Sequence, residues 1–499
     1  MLEEIITAAS ALLDPNVIFA LFLGIIIGMI FGVLPGLSGM TAMAVVLPFT
    51  YGWDATMAMY LYIGIMGSCI YAGSIPSILI NTPGTAPNAV TCFDGHPMAR
   101  KGQAGRALGI SAAASGMGAL VGIVILVAVM PIVRIIILSF AAPEFFWLIA
   151  LGLACVALAA RGNMVKGLLA AGIGIFISLI GFSPVVGNTL RYTGSSMYLW
   201  DGIELVPFVI GIFAVSEMIN YSVRGGSIAG DMISGRLTGV WEGVREVFKY
   251  PLTFLRSSVI GTGIGIIPAV GGPVASFLAY ASTVQTSKHP NTFGTGDPEG
   301  VLAPESANNA SVGGGLLPTL AFGIPGTPAM VLLLAAFLLH GVQPGPLLLR
   351  DHMDLVWALI LGLGLSNIIT SVVGLVVAPY LARITAIRVS YIAPIVLVLC
   401  FTGAYVIRGN IWDVAMMVVA GVFGYGMLRA GFPIITLLMG YILGVIAERA
   451  FLQSLMMSWG NYGVFFTRPV AIVLFILFLI VLSLPVLNAI KDRKRGKGR

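Results

Sequence analysis

Apolar residues in this chain come in long continuous runs, separated by short polar or Gly/Pro-rich breaks. The runs do not alternate apolar and polar positions as the strands of a membrane barrel do. Most are about 18–25 residues long, the length at which a helix crosses a bilayer. Backbone polar groups in lipid must pair internally, so such runs predict helices. They lie near 17–34, 57–80, 108–137, 145–160, 166–181 and 203–220, then near 253–270, 307–324, 355–379, 391–407, 413–428 and 432–447, and finally near 470–488. Shorter apolar pieces at 40–50, 271–286 and 328–341 predict half-helices or re-entrant segments. The expected fold class is an all-α polytopic membrane protein of about 11–13 transmembrane segments.

The breaks repeat along the chain. Gly28, Gly32, Pro35 and Gly39 match Gly261, Gly265, Pro268 and Gly272 at an offset of 233. Gly73, Pro76 and Pro83-Gly84-Thr85 match Gly315, Pro318 and Pro325-Gly326-Thr327 at 242, and Arg161-Gly162-Asn163 matches Arg408-Gly409-Asn410 at 247. Three blocks in one order predict a duplicated unit. The expected division is a first transmembrane repeat over 1–220, a cytoplasmic linker or interfacial helix over 221–252, a second repeat over 253–450, a C-terminal segment over 451–490 and a basic tail over 491–499.

Composition agrees with a membrane chain. It is 58% hydrophobic and 9% charged, where a soluble domain carries about 25% charged residues. Much of the net charge of +6 sits in the tail Lys491–Arg499. Its place just after an apolar run reads as a cytoplasmic anchor at anionic lipid rather than a nucleic-acid patch. The N-terminus, with Glu3, Glu4 and Asp14, does not read as a signal peptide. Cys69, Cys92, Cys155 and Cys400 form no disulfide framework or metal spacing, and the four histidines are scattered.

Charge also orients the chain. With the tail inside, only Arg134, Arg191, Arg350, Arg408, Arg449 and Arg468 fall outside, and Lys288 stays unassigned, out of 26 Lys and Arg. The first half then starts outside and the second starts inside at Arg256, an inverted repeat. Broken segments at matching places in two halves point to a transporter's binding site. The outward loops 183–202, with Asn188, Arg191, Tyr192 and Asp201, and 341–354, with Gln343, Arg350, Asp351 and Asp354, are candidates for docking a partner.

Two cradles carry the candidate chemistry. Proline cannot continue a helix interior and glycine permits turns that other residues resist, so each break predicts two helix ends meeting at a non-helical joint. Helix N-termini bind anions, and exposed carbonyls and hydroxyls bind Na⁺. The expected substrate-binding residues are Ser38, Gly39, Ser74, Asn81, Thr82, Pro83, Gly84 and Thr85 in the first cradle. In the second they are Gly271, Gly272, Ser306, Asn308, Asn309, Pro325, Gly326 and Thr327. Cation ligands are expected among Pro35, Gly36, Ser38, Ala269, Glu305 and Ser311. Gly28-x-x-x-Gly32, Gly105-x-x-x-Gly109 and Gly261-x-x-x-Gly265 read instead as helix packing. Asp94, Glu217 and Glu448 border the cradles or end apolar runs, where capping competes with function.

Residues 1–99 contain no Lys or Arg. A lone charge at the bilayer centre costs about 2.5–3.5 kcal/mol on insertion scales, and one helix end returns about 0.3–1 kcal/mol. An anionic substrate therefore needs several helix ends and co-bound cations, which favours cation coupling over uniport. A passive anion channel and a membrane enzyme are the competing readings. The enzyme would need clustered acids, a nucleophile–His pair or metal ligands, and none is visible; no cofactor is expected beyond a coupling cation.

At L-P-G-L-S-G-M-T-A-M-A-V-V-L-P-F-T (34–50), Y-A-G-S-I-P-S-I-L-I-N-T-P-G-T-A-P-N-A-V (71–90), F-D-G-H-P-M-A-R-K-G (93–102), P-E-S-A-N-N-A-S-V-G-G-G-L-L-P (304–318) and F-G-I-P-G-T-P (322–328), the chain resembles the large permease subunit of the tripartite tricarboxylate transporter family. The resemblance runs from about 15 to 488. It implies a secondary transporter of the bacterial inner membrane, coupled to Na⁺ or H⁺. It also implies a small membrane partner subunit and a periplasmic solute-binding protein that delivers small carboxylates. The family's substrates vary, so its name does not fix the substrate.

Overall fold

A computed structural model describes residues 2–34, 37–138, 140–159, 164–183, 189–224, 238–268, 270–384 and 389–496. In chain order the helices are α1 (Leu2–Ala11), α2 (Pro15–Val33), α3 (Gly39–Val46), α4 (Ala55–Ile80), α5 (Thr91–Met98), α6 (Ala104–Leu138), α7 (Ala142–Ala159), α8 (Met164–Ser178), α9 (Leu205–Ile210), α10 (Ser216–Arg224) and α11 (Val240–Glu246). They continue as α12 (Pro251–Ile266), α13 (Gly271–Thr286), α14 (Pro298–Phe322), α15 (Pro328–Leu339), α16 (Pro346–Asp351), α17 (Met353–Ile384), α18 (Val389–Val406), α19 (Ile411–Arg429), α20 (Ile434–Met457), α21 (Val464–Thr467) and α22 (Pro469–Gly496). A two-stranded hairpin, Gly181–Phe182 with Leu190–Arg191, is the sheet among the described residues.

The chain is an all-α polytopic membrane protein. Among the described residues, seven helices are long and apolar enough to cross a membrane, the longest running from Thr91 to Ile135 through a π-turn. Six shorter apolar helices accompany them. The half-helices expected at 40–50, 271–286 and 328–341 correspond to α3, α13 and α15. Helix starts follow local chemistry. Asp14, Asp54 and Asp297 each accept a backbone amide from the first turn of α2, α4 and α14, and proline opens α2 and α14.

The chain forms two compact units. Unit 1 comprises 1–134 and 217–407; unit 2 comprises 135–216 and 408–499. Within unit 1, α2 lies on α4, and Gly24, Gly28 and Gly32 allow backbone-to-backbone approach to Leu61, Ile65 and Cys69. Likewise α12 lies on α14, with Gly261 and Gly265 against Ala307 and Ser311. Gly109 lies against Val240. The small-residue stripes are therefore packing surfaces.

Within unit 2, the buried Glu144 binds Arg468 at 2.6 Å, and Trp147 donates to the Phe465 carbonyl at 3.0 Å. Arg191 is clamped by Glu448 at 2.6 and 3.2 Å. A docking role expected of Arg191 thus meets an internal ion pair, which ties the hairpin to α20. Asn188 and Arg161-Gly162-Asn163 lie outside the described residues, as does 225–237 of the expected linker.

Candidate functional site

The two cradles lie within unit 1, and their joints share one backbone. Helix α4 carries Pro76 and ends in a left-handed turn at Asn81 (φ 53°, ψ 31°), whose amide reaches back to the Pro76 carbonyl. Helix α14 carries Pro318 and ends in the same turn at Gly323 (φ 68°, ψ 18°), with its amide on Pro318 and Thr319. Four residues on, Thr85 (φ −127°, ψ 159°) and Thr327 (φ −130°, ψ 158°) start the next helical turns. In each joint the Pro-Gly-Thr glycine is pressed onto a glycine of the preceding helix. A Cβ on Gly84 would meet Gly73, and one on Gly326 would meet Gly315. The C-termini of α2 and α12, at Leu34 and Ile267, also match in backbone angles.

At the centre is Glu305, on α14 and fully buried. Its carboxylate accepts hydrogen bonds from four hydroxyls. Ser74 on α4 donates to both oxygens at 2.7 and 2.8 Å, and Ser111 and Ser115 on α6 donate at 3.0 and 2.8 Å. Thr91 on α5 donates the fourth. All four come from the first half of the chain. No Lys or Arg among the described residues pairs with it, as the absence of cations from 1–99 foreshadows. The cage is wired to the first joint: Thr85 donates to the Asn88 side-chain oxygen, and Asn88 donates from Nδ2 to Ser74 Oγ at 2.7 Å. Because Asn88 occupies Ser74 as an acceptor, the Ser74 proton is directed onto Glu305.

Beside the cage, Asn308 is 1% exposed, and neither of its side-chain polar atoms has a partner among the described residues. It sits where the halves meet: a Cβ on Gly272 would come within 2.7 Å of Asn308 Oδ1 and 2.9 Å of Pro87. A buried carboxamide with nothing to bond costs free energy, which makes it a candidate ligand contact. Asn309 donates to Asn367 at 2.8 Å and leaves its own oxygen unpaired.

The other expected residues have local roles. Ser306 turns its hydroxyl onto the Leu302 carbonyl, Ser311 onto that of Asn308, and Thr82 onto that of Ile80. Ser38 caps α3 through the Thr41 amide, and Thr41 donates to the half-buried Glu217. Gly39 lies against Cys69, and Gly271 adopts φ 63° as α13 begins. Pro83 and Pro325 rigidify the joints. Pro35, Gly36 and Ala269 lie outside the described residues.

Asp94 is structural: fully buried, it takes the amides of Gly294, Gly296 and Asp297 at 2.8 Å and the Tyr280 hydroxyl at 2.9 Å. No group of three or more metal-ligating side chains occurs among the described residues. Sequence reasoning missed Asn88, Thr91, Ser111 and Ser115. Ser111 and Ser115 are four residues apart, one helical face of a segment otherwise Ala, Gly and Ile. A polar pair on one face of an apolar run is the signal that points to them.

Residues 18–439 match the model of the tripartite tricarboxylate transporter TctA family. An uncharacterized 52.8 kDa protein in the TAR-I ttuC' 3' region of Agrobacterium vitis is 32% identical over 487 residues, covering 97% of this chain and 96% of that protein. An uncharacterized protein in the TAR-II ttuC' 3' region of the same organism is 33% identical over 234 residues, 47% of this chain and 97% of its own length. No solved structure matches the chain. The extent of the family match, over a polytopic helical fold with two like joints, makes this chain a member of the tripartite tricarboxylate transporter TctA family.

Proposed function

We propose that the chain is the large permease subunit of a binding-protein-dependent secondary transporter, which imports small carboxylates with Na⁺ or H⁺. The observation that carries this reading is the Glu305 cage: an acid from one half held by four hydroxyls from the other, one of them wired to a Pro-Gly-Thr joint. Hydrogen bonds to a charged group contribute about 1.5–3 kcal/mol each. Taking an ion out of water costs several kcal/mol. The two are of one size, so a proton or cation joining the cage shifts the balance, as a coupling site requires. Asn308 and Asn309 supply unpaired polar atoms for substrate or cation nearby. The halves act as an inverted repeat whose matched joints move against each other.

In the same reading the protein lies in the bacterial inner membrane with its C-terminus cytoplasmic. It works with a small membrane subunit and a periplasmic solute-binding protein and needs no cofactor beyond the coupling cation. The test is uptake of labelled citrate and related carboxylates by proteoliposomes holding all three subunits. Accumulation is expected only with an inward Na⁺ or H⁺ gradient and only with the binding protein present. Uptake that runs to equilibrium without either gradient contradicts the proposal and identifies a passive pathway.

A further inference from the structure

A cavity of 540 Å³ opens beside the first joint, lined by Asn81, Cys92, His96, Pro97, Arg100 and Lys101. That volume lies within the about 300–1,000 Å³ usual for small-ligand sites. Its wall carries two cations and no carboxylate. Arg100 and Lys101 are the first basic residues of the chain and sit in the π-turn Ala99–Gln103 between α5 and α6, with Gly102 at φ 79°. Both are exposed, and neither has an acidic partner among the described residues, whereas Arg106 just beyond is paired with Glu246 at 2.9 Å. The nearest acid in sequence, Asp94, is fully engaged elsewhere.

The other lining residues suit an anion too. His96 holds the Ile78 carbonyl through Nδ1 at 3.1 Å. A carbonyl only accepts, so Nδ1 carries the proton, and Nε2 becomes a further donor when the ring is protonated. Asn81, an exposed residue, is held in a left-handed conformation at the cavity's edge. The inner wall abuts the site already described. Cys92 follows Thr91, a donor to Glu305, and its Sγ lies 3.8 Å from the carbonyl of Asn88, the link between Thr85 and Ser74.

We propose that this cavity is an anion vestibule, in which Arg100, Lys101 and Asn81 hold a small free di- or tricarboxylate next to the first joint. It supplies the cationic side chains that the cradles lack. The inference rests on the proposed transport of carboxylates, but its test needs no transport.

Cys92 is a built-in probe, since Cys69 and Cys400 are buried and Cys155 is replaced by serine. Full-length protein in phosphatidylcholine vesicles, permeabilised to open both faces, is treated with anionic sulfonatoethyl or cationic trimethylammonioethyl methanethiosulfonate. Each rate is normalised to the reagent's rate with a free thiol. A cleft lined by one sign of charge raises encounter with the opposite sign by about tenfold or more. The anionic reagent is therefore expected to react about tenfold faster. Arg100→Gln with Lys101→Gln should erase the preference of the anionic over the cationic reagent, each rate taken relative to that of neutral methyl methanethiosulfonate on the same variant, which still reaches Cys92. Citrate should protect Cys92.

Equal normalised rates overturn the proposal, as does failure of the neutral reagent to reach Cys92. Protection by added phosphatidylglycerol but not by citrate overturns it in favour of a lipid headgroup site. Uptake that proves independent of cation gradients would remove the coupling mechanism and leave this charge preference untouched, so the two failures are distinguishable.

Discussion

The two joints have nearly the same backbone and different wiring. In the first, Asn81 is exposed, Thr85 is half-buried, and the Thr85 hydroxyl enters a relay through Asn88 and Ser74 to Glu305. In the second, Gly323 to Thr327 are all buried, and the Thr327 hydroxyl has no side-chain partner among the described residues. There Thr319 takes the polar role, donating to the Gly315 carbonyl at 2.7 Å and holding the Gly326 amide at 3.1 Å. The corresponding Gly84 amide goes to the Gly73 carbonyl at 3.1 Å. The two joints thus share a backbone course while their side chains differ in what they hold. The first joint is hydrogen-bonded through to the buried acid; the second is packed.

The largest effect is expected at the end of that relay. Glu305→Gln keeps the shape but not the charge, and gradient-driven accumulation should fall at least about 100-fold at normal membrane abundance, equivalent to about 2.7 kcal/mol of transition-state stabilisation. Near-normal accumulation would make the acid a packing group.

Next come the glycines, where the joints should behave alike. Gly84→Ala and Gly326→Ala each drive a Cβ into a facing glycine. Overpacking costs about 1–3 kcal/mol, so both variants should lose thermal stability in detergent to a similar degree. A large loss in only one breaks the backbone equivalence.

The hydroxyls should separate the joints. Thr85→Val removes one relay bond, about 0.5–1.5 kcal/mol, and should lower uptake by roughly three- to tenfold. Thr327→Val should change it less than about twofold. Equal losses would mean that both hydroxyls touch substrate or cation.

The smallest effect is at the surface. Arg350 is exposed and bonds Asp351 at 2.7 and 2.9 Å, which holds the Asp351 carboxyl below its usual range. Arg350→Glu should slow association with the solute-binding protein at low salt and matter little at high salt. Labelling of a cysteine placed at 350 by an impermeant reagent is expected from the periplasmic side. Labelling only from the cytoplasm reverses the orientation.

Much of this was legible in the chain. Long apolar runs, the three short half-helices and the matched Gly/Pro blocks read directly, because backbone breakers act locally: Pro76, Asn81 and Gly84 shape their joint much as Pro318, Gly323 and Gly326 shape theirs. Glu305 stood out in the sequence as an isolated acid in an apolar stretch. Apart from Ser74, its donors did not, since Thr91, Ser111 and Ser115 are brought to it by packing of α5 and α6 on α14 over 190 residues or more of sequence. The same holds for Arg191, whose partner Glu448 lies 257 residues away. The unit boundaries, which assign parts of both halves to each unit, also depend on contacts that composition does not encode.

In the proposed mechanism Glu305 couples cation movement to carboxylate movement. This coupling is tested most directly by comparing wild-type and Glu305→Gln proteoliposomes in two assays on one preparation: uptake driven by a Na⁺ or H⁺ gradient, and exchange of labelled for unlabelled carboxylate without a gradient. The variant should lose gradient-driven accumulation and retain exchange within about threefold of wild type. A variant that still concentrates substrate in proportion to the cation gradient contradicts it.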